Sequence, residues 1–143
     1  MKGGIIGSGG REHAICEAIN KSKKIDEIYC FPGNAGTNSI ATNVDLEVND
    51  FKKLKNYIIQ NSIDLIIVGP EKPLVEGIVD FLEKNGIKVF VPNKIASQLE
   101  GSKIFTKNIC KKYNIPPANF GVFENQKNSL EFLVKCNFPI VVK

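Results

Sequence analysis

The chain has a single histidine, His13, and its four cysteines, Cys16, Cys30, Cys110 and Cys136, stand far apart with no C-x-x-C pair. That scarcity argues against a zinc site and leaves little from which to build a Ser-His-Asp or Cys-His nucleophile. Spaced, unpaired thiols fit a reduced, cytoplasmic protein. No apolar run approaches the ~18 residues a membrane helix needs. The N-terminus lacks the basic region, apolar core and small-residue site of a secretory leader, so no membrane partner is expected. Nineteen Lys and Arg against fifteen Asp and Glu give a net charge of +4. These charges are scattered rather than blocked, which excludes a nucleic-acid stripe and leaves small anionic ligands as partners. Internal repeats and low-complexity segments are absent as well.

What is present is enough apolar material for a core: 43% of 143 residues, which suits one domain, or one domain and the start of another. Short apolar runs alternate with amphipathic stretches, the pattern of β-α units around a parallel sheet. Strands are expected near Gly3 to Gly7, Glu27 to Phe31, Asp64 to Val68 and Lys88 to Val91. Helices fall between them: Arg11 to Lys21, a second capped by Asp50 with Phe51, Leu54, Tyr57 and Ile58 toward one face, and a third from Leu74 to Asn85. In the third, Val75, Ile78, Val79 and Leu82 point inward and Gly86 is the stop. LIIV, without polar alternation, reads as a central strand covered on both faces. The fold class is therefore α/β, a doubly wound parallel sheet.

After Pro92 two helices follow in series, KIASQLEG and SKIFTKNICKKYN, the second capped by Ser102 and ended by Asn114 and the Pro116-Pro117 pair. A strand (Asn119 to Phe123), a helix (Ser129 to Lys135) and a strand-like run Pro139 to Lys143 complete the reading. Two parts are expected, 1–92 and 93–143, the second a connector and the opening of another domain. A chain that stops on such a strand is expected to be a piece of something longer.

Three loops carry the chemistry. In IGSGGREH, Gly7, Gly9 and Gly10 turn the first strand into the first helix, where backbone N–H groups and the helix dipole favour an anion. The dinucleotide fingerprint G-x-G-x-x-G fails here, because the third glycine position is Glu12. An acid at the end of the second strand, needed for ribose hydroxyls, is also missing, since Asp26 and Glu27 lie at its wrong end. Phosphate or phosphosugar binding and a purely structural turn remain. FPGNAGT follows the second strand, with Gly33 and Gly36 freeing the backbone and Asn34 offering donor and acceptor; turn chemistry explains PGN too. GPEKPL places Glu71 and Lys72 at the same edge, where a carboxylate could bind ribose hydroxyls or an amine. Arg11 is a candidate phosphate contact and His13 an open case. Lys103 is unremarkable alone, whereas Lys143 ends an apolar run where a cation must reach water or meet an anion.

Together IGSGGREHA, PGNAGT, NVD, DLIIVGPEKPLVEGIVD, LEGSKIFTK and PIVVK resemble the glycinamide ribonucleotide synthetases of the ATP-grasp superfamily, in that family's order across nearly the whole chain. The resemblance implies a Rossmann-like pre-ATP-grasp domain, a helical connector and the start of an ATP-grasp domain. It also implies ATP-dependent ligation of glycine to 5-phosphoribosylamine through a glycyl phosphate, in purine biosynthesis. Ser8, Gly9, Gly10, Arg11, Gly33, Asn34 and Glu71 would line the phosphoribosylamine pocket, and Lys103 and Lys143 would contact ATP phosphates. Magnesium ligands, the flap over ATP and the glycine site would lie past residue 143, so no catalytic or metal residue falls within this chain and it would not catalyse alone. Its partners would be these small molecules and the remainder of the ATP-grasp chain. One departure is Gly3-Gly4, where the family has bulky residues, at roughly 0.5 to 1 kcal/mol each. That change is expected to loosen the strand beneath the first loop. Two rivals remain open: another ATP-grasp ligase or carboxylase, and a non-catalytic phosphate- or nucleotide-binding module.

Overall fold

The computed structural model describes residues 1–142. The first apolar run forms β1 (Lys2–Gly7), and it is central because it has a parallel neighbour on each side. One neighbour is β2 (Glu27–Pro32), in register Gly7 opposite Pro32; the other is β4 (Leu65–Val68), in register Ile6 opposite Val68. A short β3 (Thr42–Asn43) completes the order β3-β2-β1-β4, all parallel. Parallel pairing puts the carboxyl ends of β1, β2 and β4 at one edge, so the loops leaving them converge there.

Alternate residues supply two apolar layers. Ile5, Ile28 and Cys30 meet Cys16 of α1 (Gly10–Asn20) on one face. On the other face Ile6, Phe31, Ile66 and Val68 pack against Leu54 and Ile58 of α2 (Phe51–Gln60) and Ile78 and Leu82 of α4 (Ile78–Lys84). Each such fully buried aliphatic side chain contributes roughly 1.5 to 3 kcal/mol. The doubly wound α/β architecture is thus as expected. Asp50 caps α2 by accepting from the Lys53 N–H at 3.0 Å, and Gly86, at φ +77°, ends α4.

β1 keeps its full register through Gly3-Gly4. The space above Gly4 is filled by Ile66, Ile63 and the Phe31 ring, so the missing side chain is replaced by its neighbours.

Several expectations need correcting. The third helix is two, α3 (Glu71–Glu76) and α4, because Gly77 at φ +100° breaks the ladder. Lys88 to Val91 contributes a single parallel bridge, Val89 to Ile66, rather than a strand. The first compact unit runs from Met1 to Gly101 and includes α5 (Lys94–Gly101), which packs on α3: a Cβ on Gly101 would overlap Val75.

The second unit, from Ser102 onward, holds α6 (Lys103–Lys112) and α7 (Gln126–Leu133). Ser102 caps α6 through the Phe105 N–H at 3.2 Å, and Asn125, rather than Ser129, opens α7 through the Asn128 N–H at 3.0 Å. The Phe123 and Phe132 rings lie 5.0 Å apart. Neither Asn119 to Phe123 nor the described part of Pro139 to Lys143 forms a strand, since no ladder partner reaches either among the described residues. Lys143 itself lies outside the described residues.

Candidate functional site

The β1–α1 loop (residues 8–10), the β2 loop (33–37) and the β4–α3 loop (69–71) form one rim, because Gly33 N–H bonds the Gly7 carbonyl at 3.2 Å and Gly69 N–H the Ile6 carbonyl at 2.9 Å. Asn34 joins the first two loops. Its Nδ2 donates to the carbonyls of Ser8 (2.9 Å) and Gly9 (3.2 Å), while Oδ1 accepts from the N–H groups of Gly36 (2.8 Å) and Thr37 (3.0 Å). All four bonding positions of this amide are thereby spent inside the protein. Thr37, fully buried, has Oγ1 within reach of the Asn34 carbonyl (3.0 Å) and Asn43 Oδ1 (2.8 Å), one of which takes its single O–H, and Asn43 Nδ2 donates back to the Asn34 carbonyl at 2.8 Å. Gly33 is obligatory, since at φ +76° a Cβ there would overlap the Asn43 side chain. The His13 ring lies against Gly36, where a Cβ would overlap it, and Nε2 faces Glu17 at 3.5 Å.

Arg11 joins the first loop to the third. Its Nε donates to Glu12 Oε1 and its Nη1 to Glu71 Oε1, both at 3.1 Å, and Nη2 donates to the Gly69 carbonyl. The bonds to Glu12, then to Glu71, raise the guanidinium's pKa above its ordinary value. Glu71 is held below the usual carboxylate range, first by its own backbone N–H at the start of α3 and then by Arg11. A cleft of about 190 Å³ opens beside Glu71, bordered by Leu74, Pro92 and Ser97. The broader, shallow depression at Phe51 and Phe81 shares no residue with the three loops.

The residue that sequence reasoning passed over is Glu12. Its side chain is only 4% exposed, yet it is a carboxylate, and its Oε2 accepts the Gly9 N–H at 2.6 Å. The signal was available: an acid three residues after the helix cap is the capping-box position. Thr37 and Asn43 carry no site signal of their own in the sequence, since each acts only through Asn34. Ser8, Gly9, Gly10, Arg11, Gly33, Asn34 and Glu71 do come together at the rim. Lys103 is the exposed first residue of α6 in the second unit. Asp26 and Glu27 lie at the opposite edge of the sheet, Asp26 on the N-terminal ammonium and Glu27 on Lys2 at 3.1 Å.

Fold and rim together define a class: a Rossmann-like α/β domain whose strand-end loops are locked to one another and whose glycine turn departs from the dinucleotide pattern. Within that class the chain belongs to the phosphoribosylglycinamide synthetase family, whose N-domain model matches residues 1–100. It is 48% identical over 143 residues to the phosphoribosylamine–glycine ligase of Caldanaerobacter subterraneus subsp. tengcongensis, and 49% over 145 residues to that of Clostridium acetobutylicum. Each match covers 100% of this chain but 34% of the relative, so the chain spans about a third of their length. The crystal structure of the Thermotoga maritima phosphoribosylamine–glycine ligase superposes with a TM-score of 0.70 at 34% identity, over 96% of this chain and 31% of that one. A biotin carboxylase domain from Hydrogenobacter thermophilus, 14% identical with a TM-score of 0.68 over 96% of this chain and 33% of that one, shares the fold alone.

Proposed function

We propose that this chain is the N-terminal part of an ATP-dependent ligase joining glycine to 5-phosphoribosylamine, and that its rim forms one wall of the phosphoribosylamine site. The observation that supports this most is the mutual locking of three strand-end loops by Asn34 and Arg11, which holds exposed N–H groups and one carboxylate at fixed positions. In this reading the Ser8 and Gly10 N–H groups, which Glu12 does not engage, take the substrate phosphate, and Glu71, through the oxygen not held by Arg11, takes ribose hydroxyls or the amine. Asn34, its donors committed internally, shapes the pocket rather than lining it, whereas Arg11 keeps two of its five N–H donors for the substrate. Lys103 and Lys143 are assigned to nucleotide phosphates.

The chemistry is an activated acyl transfer. ATP phosphorylates the glycine carboxylate, the amine attacks the acyl phosphate, and ADP and phosphate leave. Magnesium, when bound, neutralises charge on the transferring phosphoryl group. In this reading its ligands belong to the sequence that follows this region in the longer relatives; among the described residues no group of three or more His, Cys, Asp or Glu that could hold a metal lies together. Cytoplasmic placement belongs to the same proposal; among the described residues no helix is long and apolar enough to cross a membrane.

The test is ADP release by the full-length protein that carries this chain. Turnover should require both glycine and phosphoribosylamine, and the 143-residue chain alone should show none. Turnover independent of either co-substrate would remove the proposal.

A further inference from the structure

In a dinucleotide fold the third fingerprint glycine keeps the helix close to the turn, and the turn's N–H groups meet a pyrophosphate. Here that third position is Glu12, and its side chain folds back over the turn. A Cβ on Gly7 would come within 2.6 Å of Glu12 Cγ, one on Gly9 within 2.8 Å of Oε2, and one on Gly69 would overlap Oε1. Three glycines, one ending β1 and one from each of two loops, therefore make room for this one carboxylate. It is bonded as an anion would be: Gly9 N–H donates to Oε2 at 2.6 Å and Arg11 Nε to Oε1 at 3.1 Å. Its oxygens have partners and its side chain is nearly inaccessible to water.

We propose that Glu12 is a specificity-determining residue: its carboxylate is a built-in anion that fills the seat of the glycine turn and closes it to the pyrophosphate of a dinucleotide. The glycine turn is thus retained with its donors turned inward. An external anion at this rim is left with the N–H groups further out, a geometry suited to one phosphate rather than two. The inference stands on the geometry of Glu12 and does not depend on the ligase reading.

Removing the carboxylate should reopen the seat, because the Gly9 N–H and Arg11 Nε would be released together with the volume of the side chain. Calorimetric titration of the 143-residue chain with inorganic pyrophosphate tests this. Glu12→Ala, shown folded by a cooperative melt, should bind pyrophosphate at least about tenfold more tightly than the wild type. Glu12→Gln keeps the shape and removes only the charge, and should gain less. Equal affinity in wild type and Glu12→Ala, or a folded Glu12→Ala with no gain, overturns the proposal. If Glu12→Ala does not fold, Glu12→Ser, which also empties the seat, decides: a several-fold gain supports the filled seat and no gain in a folded Glu12→Ser overturns it.

Discussion

Gly3 and Gly4 are neighbours in one strand, yet their surroundings make opposite demands on a side chain. A Cβ on Gly3 would meet Ile19 and Ile25 at 3.6 and 3.7 Å, ordinary contact, whereas one on Gly4 would meet Ile66 Cδ1 at 2.5 Å and Phe31 at 3.3 Å. Gly3→Ala should therefore stabilise the first unit by about 0.5 to 1 kcal/mol through lost chain entropy and added packing. Gly4→Ala should cost about 1 to 3 kcal/mol as Ile66 is displaced. Urea midpoints of the two variants check this, and a Gly4→Ala as stable as Gly3→Ala would show that Ile66 yields freely. The same locality decides what could be read of the rim. Ser8 to Arg11, Gly33, Asn34 and Glu71 announce themselves by residue type at strand ends, so their convergence was legible. Their commitments were not, because Asn34 bonding Ser8, and Arg11 bonding Glu71, join residues 26 and 60 positions apart. No local pattern separates a loop amide aimed at a ligand from one spent on another loop.

At the scale of elements, glycine also decides where helices stop. Gly77 adopts φ +100° with its N–H on the Pro73 and Leu74 carbonyls, and Lys94 Cδ lies 3.1 Å from where a Cβ would stand; Gly86 adopts φ +77° with nothing near. Alanine is strained at both, but only at Gly77 must a neighbour also move. Gly77→Ala should cost about 2 kcal/mol and Gly86→Ala about 1 kcal/mol, measured as shifts in the urea midpoint. Equal costs would mean that the α3–α4 break carries no packing demand. Periodicity through residues 74–85 found Ile78, Val79 and Leu82 but named half-buried Val75 where Leu74 is the buried residue, and it was silent about this break, since helical spacing runs on across a single left-handed residue. Strands 1, 2 and 4 were legible as continuous apolar runs, but β4 stands at the end of the order and its LIIV alternates half-buried with buried residues, so it is not the central strand covered on both faces that its composition suggests. Thr42-Asn43 carries no such signal and pairs only at Tyr29 and Cys30. Lys88 to Val91, Asn119 to Phe123 and Pro139 to Val142 have strand composition without a continuous partner, and composition alone cannot supply a ladder.

Across the molecule the first unit carries two unequal apolar layers, and the smaller one is closed by two thiols. Cys16 of α1 and Cys30 of β2 are fully buried with sulfur atoms 3.9 Å apart. Burial, then the neighbouring Cys16, pushes the Cys30 thiol up to about 12, against an ordinary 9.0. A raised folded pKa means that the native state keeps its proton while the unfolded chain loses it. This contribution to stability is therefore fully present below about pH 9 and is lost as pH climbs toward 12. Carboxylates act at the other end. Glu71 is lowered chiefly by its own backbone N–H and Asp50 by that of Lys53, so their contributions are present above the unfolded values and fall away in acid. Stability should form a plateau through neutral pH and decline on both sides. Cys16, through burial, and Tyr29, through Glu27, are raised too and share the alkaline limb, so the difference from Cys30→Ala is what reads Cys30. Between roughly pH 9.5 and 10.5 the wild type should lose about 1.4 kcal/mol per pH unit more than Cys30→Ala, the slope of one proton held only by the folded state. Urea unfolding followed by far-ultraviolet circular dichroism reads this from the difference in slopes. The small void left by the substitution lowers the whole Cys30→Ala curve without tilting it. Parallel limbs in the two proteins would mean that the Cys30 sulfur meets water in the native state and that the α1 face of the sheet opens under alkaline conditions before the unit unfolds.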